Sequence, residues 1–401
     1  MSSTLLSKDK VNSFEFFHIN WKVWKIHGLK IVKRDIHTQQ RQAVSRSYFF
    51  WTIAANFLAT ILFPIHLSMG IFQSQNKSEL FDGISISITS IGTTIKFFLM
   101  ASKMKQIAQM EALIRVLDAR VTHQEELNHY RMRTRLNILN VQKMFLILYC
   151  GIGAAVAASF LFSGERRLFF PGWLPFDWRQ SIGFYALGIL YQLFCIVIQI
   201  SQNFNNDSFT PKALCLLSAH IELLYMRVSR IGFDDSHSGG SCKTHLQEQD
   251  IELKRCVLDQ INLYELYKTI QDIISWAMVI QLLVSVLNNC VAMVALLFFA
   301  TELFDRIYYS IYIVGLAMQL FPSCYYGSDF VLLFEKLHYA VFSCNWIGQS
   351  KSFKRHMMIF TERSLRQTMA LAGGMFPIHL DTFFATAKAT YSLFALIITI
   401  K

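Results

Sequence analysis

The sequence predicts an all-α membrane protein: seven transmembrane helices with cytoplasmic helical extensions, the N-terminus inside and the C-terminus outside. Two observations carry that expectation. Seven apolar segments are each long enough to cross a bilayer, and the basic residues crowd into alternate gaps between them. A spanning helix needs about 20 mostly apolar residues, because every backbone polar group in hydrocarbon must be satisfied within the segment itself. With 53% hydrophobic residues, 35 Phe and only 6 Pro, the composition suits a helical bundle in lipid.

The elements follow in order. Residues 1–46 are too polar and charged for a signal peptide, so the first apolar segment, Ser47–Phe72, directs insertion. Phe81–Met100 is second and least apolar, interrupted by Ser85, Ser87, Thr89, Ser90, Thr93 and Thr94. Met144–Ser163 is third, its small residues from Gly151 to Ala158 permitting close helix packing. Ile182–Ser201, Ile273–Ala300, Ile307–Gly327 and Phe376–Ile400 complete the set. The two ends and six gaps hold, in chain order, 9, 1, 8, 3, 7, 1, 6 and 1 Lys or Arg, so alternate positions carry 30 basic residues against 6. By the positive-inside rule the richer positions face the cytoplasm. The net charge of +11 is then explained by a cytoplasmic face against anionic lipid, without nucleic acid.

Outward gaps are short. The longest, Gly164–Ser181, carries Pro171, Trp173, Pro175 and Trp178 and reads as an interfacial lid with aromatic anchors. Inward gaps are long and helical in pattern. Met110, Leu113, Ile114, Leu117 and Val121 form an apolar stripe, and similar patterns run through Lys212–Arg230, Glu252–Tyr267 and Phe330–Phe342. These predict membrane helices that continue into the cytoplasm and pack there; helices lying flat on the membrane are the alternative. Gly232–Gln249 is expected to be a linker. One domain over 1–401 results, with a cytoplasmic segment 1–46, helices one to six over 47–327, cytoplasmic anchor helices over 328–375 and a last helix over 376–401. The 8 Cys divide between membrane segments and reducing cytoplasmic gaps, which predicts no disulfide framework. Of two glycosylation acceptors, Asn76 faces outward on this topology and Asn206 does not.

Catalytic signatures are missing. No metalloprotease helix, nucleophile elbow, phosphate loop or dinucleotide fingerprint occurs, and the 12 His have no ligand spacing. Neither an enzyme nor a metal or cofactor is expected. Ionisable residues inside the bilayer are costly and mark functional positions by default. Lys96 sits near the inner end of its segment, where it can snorkel to the interface. Lys388 falls mid-segment, with Asp381 two turns earlier on roughly the same face. A continuous lipid-facing helix would not accept that pair readily, which favours a water-lined last helix over a purely structural ion pair.

The C-terminal stretch carries a family signature. Leu371-Ala372-Gly373-Gly374-Met375-Phe376-Pro377-Ile378 is followed by His379-Leu380-Asp381-Thr382-Phe383, then Lys388 and Thr390-Tyr391-Ser392-Leu393-Phe394. This resembles insect odorant receptors, and Cys344-Asn345-Trp346, Tyr191-Gln192-Leu193 and Cys215-Leu216-Leu217 extend the resemblance over essentially the whole chain. It implies an odorant-gated, non-selective cation channel in the plasma membrane of sensory neurons, in which four subunits surround a pore made by the last helix. It also implies assembly with a co-receptor subunit, this chain being the odour-tuning partner because it lacks the long insertion between helices four and five. By that resemblance the gate positions fall at Phe394 and Ile398, with Ile397 where the co-receptor has a polar pore residue. Lys388 and Asp381 then belong to a wide vestibule. An apolar odorant is expected among the outer halves of helices two to six, at Phe160, Phe184, Tyr185, Leu296, Tyr308 and Tyr312, with Ser87 as a hydrogen-bond donor. A gustatory-type insect receptor channel is the nearest alternative. A G-protein-coupled receptor fits less well, lacking here the Asp-Arg-Tyr and Asn-Pro-x-x-Tyr motifs.

Overall fold

Among the described residues six helices are long and apolar enough to cross a membrane, and they coincide with the first six predicted segments. The computed structural model describes residues 11–29, 46–72, 77–161, 166–233, 242–300, 303–366 and 368–400. Asn76 and residues 234–241 of the expected linker lie outside them, as does the side chain of Ile397. A short α1 (His18–Ile26) precedes the first span, which is α2 (Arg46–Ala55) and α3 (Phe63–Ile71) joined by a π-helical stretch at Asn56–Leu62. The second span is α4 (Lys77–Ser102), followed by α5 (Met104–Asp118). In the third, α6 (Gln124–His129) runs through a π turn into α7 (Arg135–Leu161). Then come α8 (Ile182–Arg230), α9 (Cys242–Phe298), α10 (Leu303–Ser343) and α11 (Lys351–Ser364). A hairpin of β1 (Leu371–Ala372) and β2 (Phe376–Pro377) leads into the last helix, α12 (Leu380–Ile400).

Two boundaries differ from expectation. Residues 242–249 belong to α9 rather than to a linker, and Phe376–Pro377 pair in the hairpin, so the seventh helix starts at Leu380. Three glycine-scale details explain the second difference. Gly373 and Gly374 have φ of 60° and 72°, conformations that a side chain disfavours. A Cβ on Gly373 would come within 2.7 Å of Val279 on α9. The turn is pinned there: Gly373 N–H donates to the Ser275 carbonyl at 3.1 Å, and Gln271 both accepts from Leu371 N–H (2.8 Å) and donates to its carbonyl (2.6 Å).

Length separates the fold into two regions. At 1.5 Å per residue the 49 residues of α8 and 57 of α9 extend roughly 74 and 86 Å, more than twice a ~30 Å hydrocarbon core. In the spanning region the first helix leaves Phe50, Ile53, Phe57, Ile61, Ile65 and Met69 exposed along one stripe, an apolar surface suited to hydrocarbon. The largest apolar core lies beyond the spans. It gathers Phe17 and Trp24, Ile107, Met110 and Ile114 of α5, Leu217, Ile221 and Leu224 of α8, Leu253 and Leu263 of α9, Phe334 and Leu337 of α10, and Phe353 and Phe360 of α11. The amphipathic stretches therefore pack on one another instead of lying flat. Asn206 is buried in α8, a position closed to glycosylation.

Candidate ligand site

Helical spacing builds a cleft among three helices. Phe81, Asp82, Ser85 and Ile86 share one face of α4, Val291, Ala292 and Ala295 one face of α9, and Tyr308, Tyr309 and Tyr312 one face of α10. Together they line a narrow cleft of about 30 Å³. The two alanines leave room where larger side chains would fill it. Tyr308 and Tyr312 hold their rings parallel, 6.4 Å between centroids, and the Tyr309 hydroxyl donates to Asp82 Oδ1 at 3.0 Å. Mostly aromatic and small walls with a few placed polar atoms are the usual makeup of a small-molecule pocket.

Below the cleft the α4 hydroxyls continue as a ladder. Asp82, Ser85, Thr89, Thr93 and Lys96 are spaced three or four apart, so they lie on one stripe of the helix. Asn288 Nδ2 donates to Thr89 Oγ1 at 2.8 Å, and Thr93 Oγ1 donates to Asn203 Oδ1 at 2.7 Å. The ladder ends on a buried ion pair: Lys96 Nζ donates to Asp207 Oδ1 and to Gln281 Oε1, each at 2.6 Å, while Tyr149 donates to the other Asp207 oxygen. Lys96 and Asp207 are 4% and 6% exposed. Lys96 thus does not snorkel. It joins α4, α7, α8 and α9 through one charge, because Asp207 sits opposite it on α8, a partner 111 residues away.

At the other end the segment 166–181 closes over the bundle. His66 on α3 exchanges bonds with Trp173, its Nδ1 lying 2.6 Å from the Trp173 carbonyl and its own carbonyl accepting from Trp173 N–H at 3.0 Å. Gln192 on α8 pairs with both backbone groups of Phe170 and reaches His66 Nε2 at 2.9 Å. Gly172 passes so close to His66 that a Cβ would stand 2.1 Å from its ring.

The comparisons with known proteins agree with this architecture. The family model for the seven-transmembrane odorant receptor matches residues 76–391. The chain belongs to that family. Odorant receptor 59a of Drosophila melanogaster is 35% identical, covering 99% of this chain and all of that one, and odorant receptor 23a of the same fly is 33% identical over 95% of each. The solved structure of the olfactory receptor OR5 from Machilis hrabei superposes with a TM-score of 0.76 at 12% identity, over 98% of this chain and all of that one; its complex with eugenol gives 0.74. These relatives are odorant receptors, not enzymes, and they fit a tuning receptor better than a co-receptor.

Of the seven ligand positions expected in the receptor, the cleft includes Tyr308 and Tyr312. Leu296 packs behind it with Ala295 and Tyr309. Ser87 is buried on another face of α4, and Ser85 lines the cleft in its place. Phe160, Phe184 and Tyr185 lie under the lid: Phe160 stacks on Phe169 at 4.2 Å, Phe184 meets Phe176 at 5.4 Å, and Tyr185 donates to the Arg167 carbonyl at 3.2 Å. Asp82 and Tyr309 escaped notice, though a lone carboxylate at the start of an apolar segment was a visible signal. On α12, Thr386, Thr390 and Phe394 form the buried stripe, Phe394 packing on Cys290 and Val294 of α9. Lys388 is exposed on the opposite face and Tyr391 beside it, while Ile398, one turn beyond Phe394 on nearly the same face, is 41% exposed. Asp381 pairs with His379 at 3.0 Å, and Lys388 is not among its partners.

Proposed function

We propose that the receptor is the odour-tuning subunit of a ligand-gated, non-selective cation channel, and that small volatile molecules bind in the α4–α9–α10 cleft. One observation carries the reading. Successive residues of α9 face two ways: Val291 and Ala295 wall the cleft, while Cys290 and Val294 hold Phe394 of α12. Phe81 belongs to both sets, lining the cleft and packing beside the Phe394 cluster. A ligand that wedges α9 and α4 apart therefore shifts the support of the last helix.

The exposed face of α12 is suited to a water-filled pore shared with neighbouring subunits, four in all, including a co-receptor. Lys388 and Asp381 line its wide inner vestibule, and Ile398 belongs to the narrow apolar end, which closes by dewetting, while Phe394 ties that end to α9 from behind. The basic gaps support a cytoplasmic N-terminus and an outward lid, which makes Asn76 the glycan acceptor; membership of the family supports the plasma membrane of sensory neurons as the location. The test is whole-cell current under an odorant panel, with and without an insect odorant co-receptor, and a G-protein blocker in the pipette. Fast, blocker-insensitive cation current only in paired cells is expected. Current that needs G proteins, or none from a receptor shown at the surface, overturns the channel reading.

A further inference from the structure

We propose that Ser328 of α10 is a positioning residue for gating, which caps the last helix from outside and carries movement of the cleft wall to the inner end of α12. This rests on the channel reading and adds to it a route separate from the Phe394 contact on α9. The first turn of a helix leaves backbone N–H groups without intrahelical partners, and a Ser, Thr, Asp or Asn just before it usually supplies an acceptor. At that place α12 has His379, whose Nδ1 accepts from Asp381 N–H at 3.3 Å. The N–H of Leu380, the first residue of α12, goes to another helix: Ser328 Oγ accepts it at 2.9 Å and donates its own proton to the Cys324 carbonyl at 3.2 Å. Ser328 is buried, which shields the bond from water.

Two neighbours tighten the same joint. Gly327 lets α10 approach so closely that a Cβ there would collide with the Ile378 carbonyl, two residues before α12 begins. Phe321, two turns earlier on α10, meets Phe383 of α12 edge-on at 5.6 Å between ring centroids. The joint stands on the helix that carries the cleft tyrosines. Tyr312 and Ser328 are separated by roughly 24 Å of helix at 1.5 Å per residue, and Pro322 lies between them. Proline has no N–H to offer the Met318 carbonyl, and helices bend at such points. A ligand that displaces the tyrosine face therefore changes the bend of α10 at Pro322. The close Gly327 contact and the Ser328 cap leave no slack, so Leu380 and the helix behind it follow.

The experiment removes the bond from each side. Ser328→Ala deletes the acceptor, and Leu380→Pro deletes the donor at the first helical position, where proline is well tolerated. These two, their double variant and Ser328→Thr, which keeps a hydroxyl, are each paired with a co-receptor and their odorant-evoked currents compared with the parent's. Thermal stabilisation of purified receptor by the same odorants reports binding without conduction. The expected result is an EC50 about fivefold higher for every odorant in each single variant, the equivalent of one ordinary hydrogen bond. The double variant should rise no further, because both changes remove one bond, and Ser328→Thr should stay near the parent. Stabilisation by odorants should persist throughout, which sets a gating fault apart from a folding or binding fault. Parental EC50 values in both single variants, rises that add in the double variant, rises that differ from one odorant to another, or loss of odorant stabilisation overturn the inference and leave the channel reading standing. A parent that conducts under no odorant overturns the channel reading and the inference together.

Discussion

Replacing Lys96 by Met should cost the receptor more stability than any other single methylene-scale change in its membrane region. The substitution keeps the length and apolar stem of the side chain but leaves Asp207 buried with only the Tyr149 hydroxyl, and Gln281 Oε1 without its donor. Breaking one side of a buried ion pair costs about 3–5 kcal/mol, because the surviving charge stays desolvated. Asp207→Asn should cost a similar amount by stranding the ammonium. The double variant removes both charges, so its loss should be close to that of either single variant, a coupling energy of about 3–5 kcal/mol. Each protein is heated in detergent and the fraction that remains monodisperse on size exclusion is followed. A loss of several kcal/mol corresponds to about 5–10 °C in a chain of this size, allowing for the decline of sensitivity with length. Single-variant midpoints within about 1 °C of the parent, or losses that simply add in the double variant, would refute the argument.

Three further outcomes are expected. Ala292→Leu fills the cleft, so responses to larger odorants should fall by more than those to the smallest ones, whereas a uniform loss would point to overpacking alone. His66→Ala removes the bond to the Trp173 carbonyl and the partner of Gln192; trypsin added outside intact cells should then cut at Arg166, Arg167 or Arg179 faster than in the parent. His27, beside Ser201 at 2.8 Å, is pushed down by burial to about 4. Because the unfolded chain binds the extra proton between about pH 6.5 and 4, stability should rise with pH across that window and be flat above it. A His27→Phe receptor that keeps the same slope of thermal midpoint between pH 4 and 6.5 would exclude His27 as its source.

The spans were legible because hydrocarbon imposes one rule on every backbone group, and length with composition expresses it directly. The anchoring helices were legible too, since Met110, Ile114 and Leu117 keep helical spacing against a polar background. Lys96 was not. Its partner Asp207 is 111 residues away, and sequence spacing holds no record of that encounter. The Ser and Thr residues that made the second segment look weak are the ladder that leads down to this pair. Side-chain direction explains the rest: Ser85 and Ser87 differ by about 200° around a helix, so one lines the cleft and the other does not. The family-like motifs fall on pins. Gln192 ties down the lid, Asn345 Nδ2 donates to the Gly232 carbonyl at 3.2 Å to join the ends of α8 and α10, and the Gly373 turn docks on α9. None of these motif residues lines the cleft, which is why the signature says little about the odour.

The position of the largest apolar core has a consequence for how the chain is made. Its contributors run from Phe17 to Ile378, and Gln260 Nε2 on α9 donates to the Phe360 carbonyl and Ser364 Oγ at 3.2 and 2.7 Å. At roughly 5–20 residues per second, synthesis reaches α11 tens of seconds after α5 has emerged. Over that interval the third to sixth spans enter the bilayer in turn beside an unfinished assembly whose apolar stripes are only partly covered. Quality control of the nascent chain therefore has a long window in which to act, and a stop codon shortly before α11 should send an otherwise inserted protein to degradation.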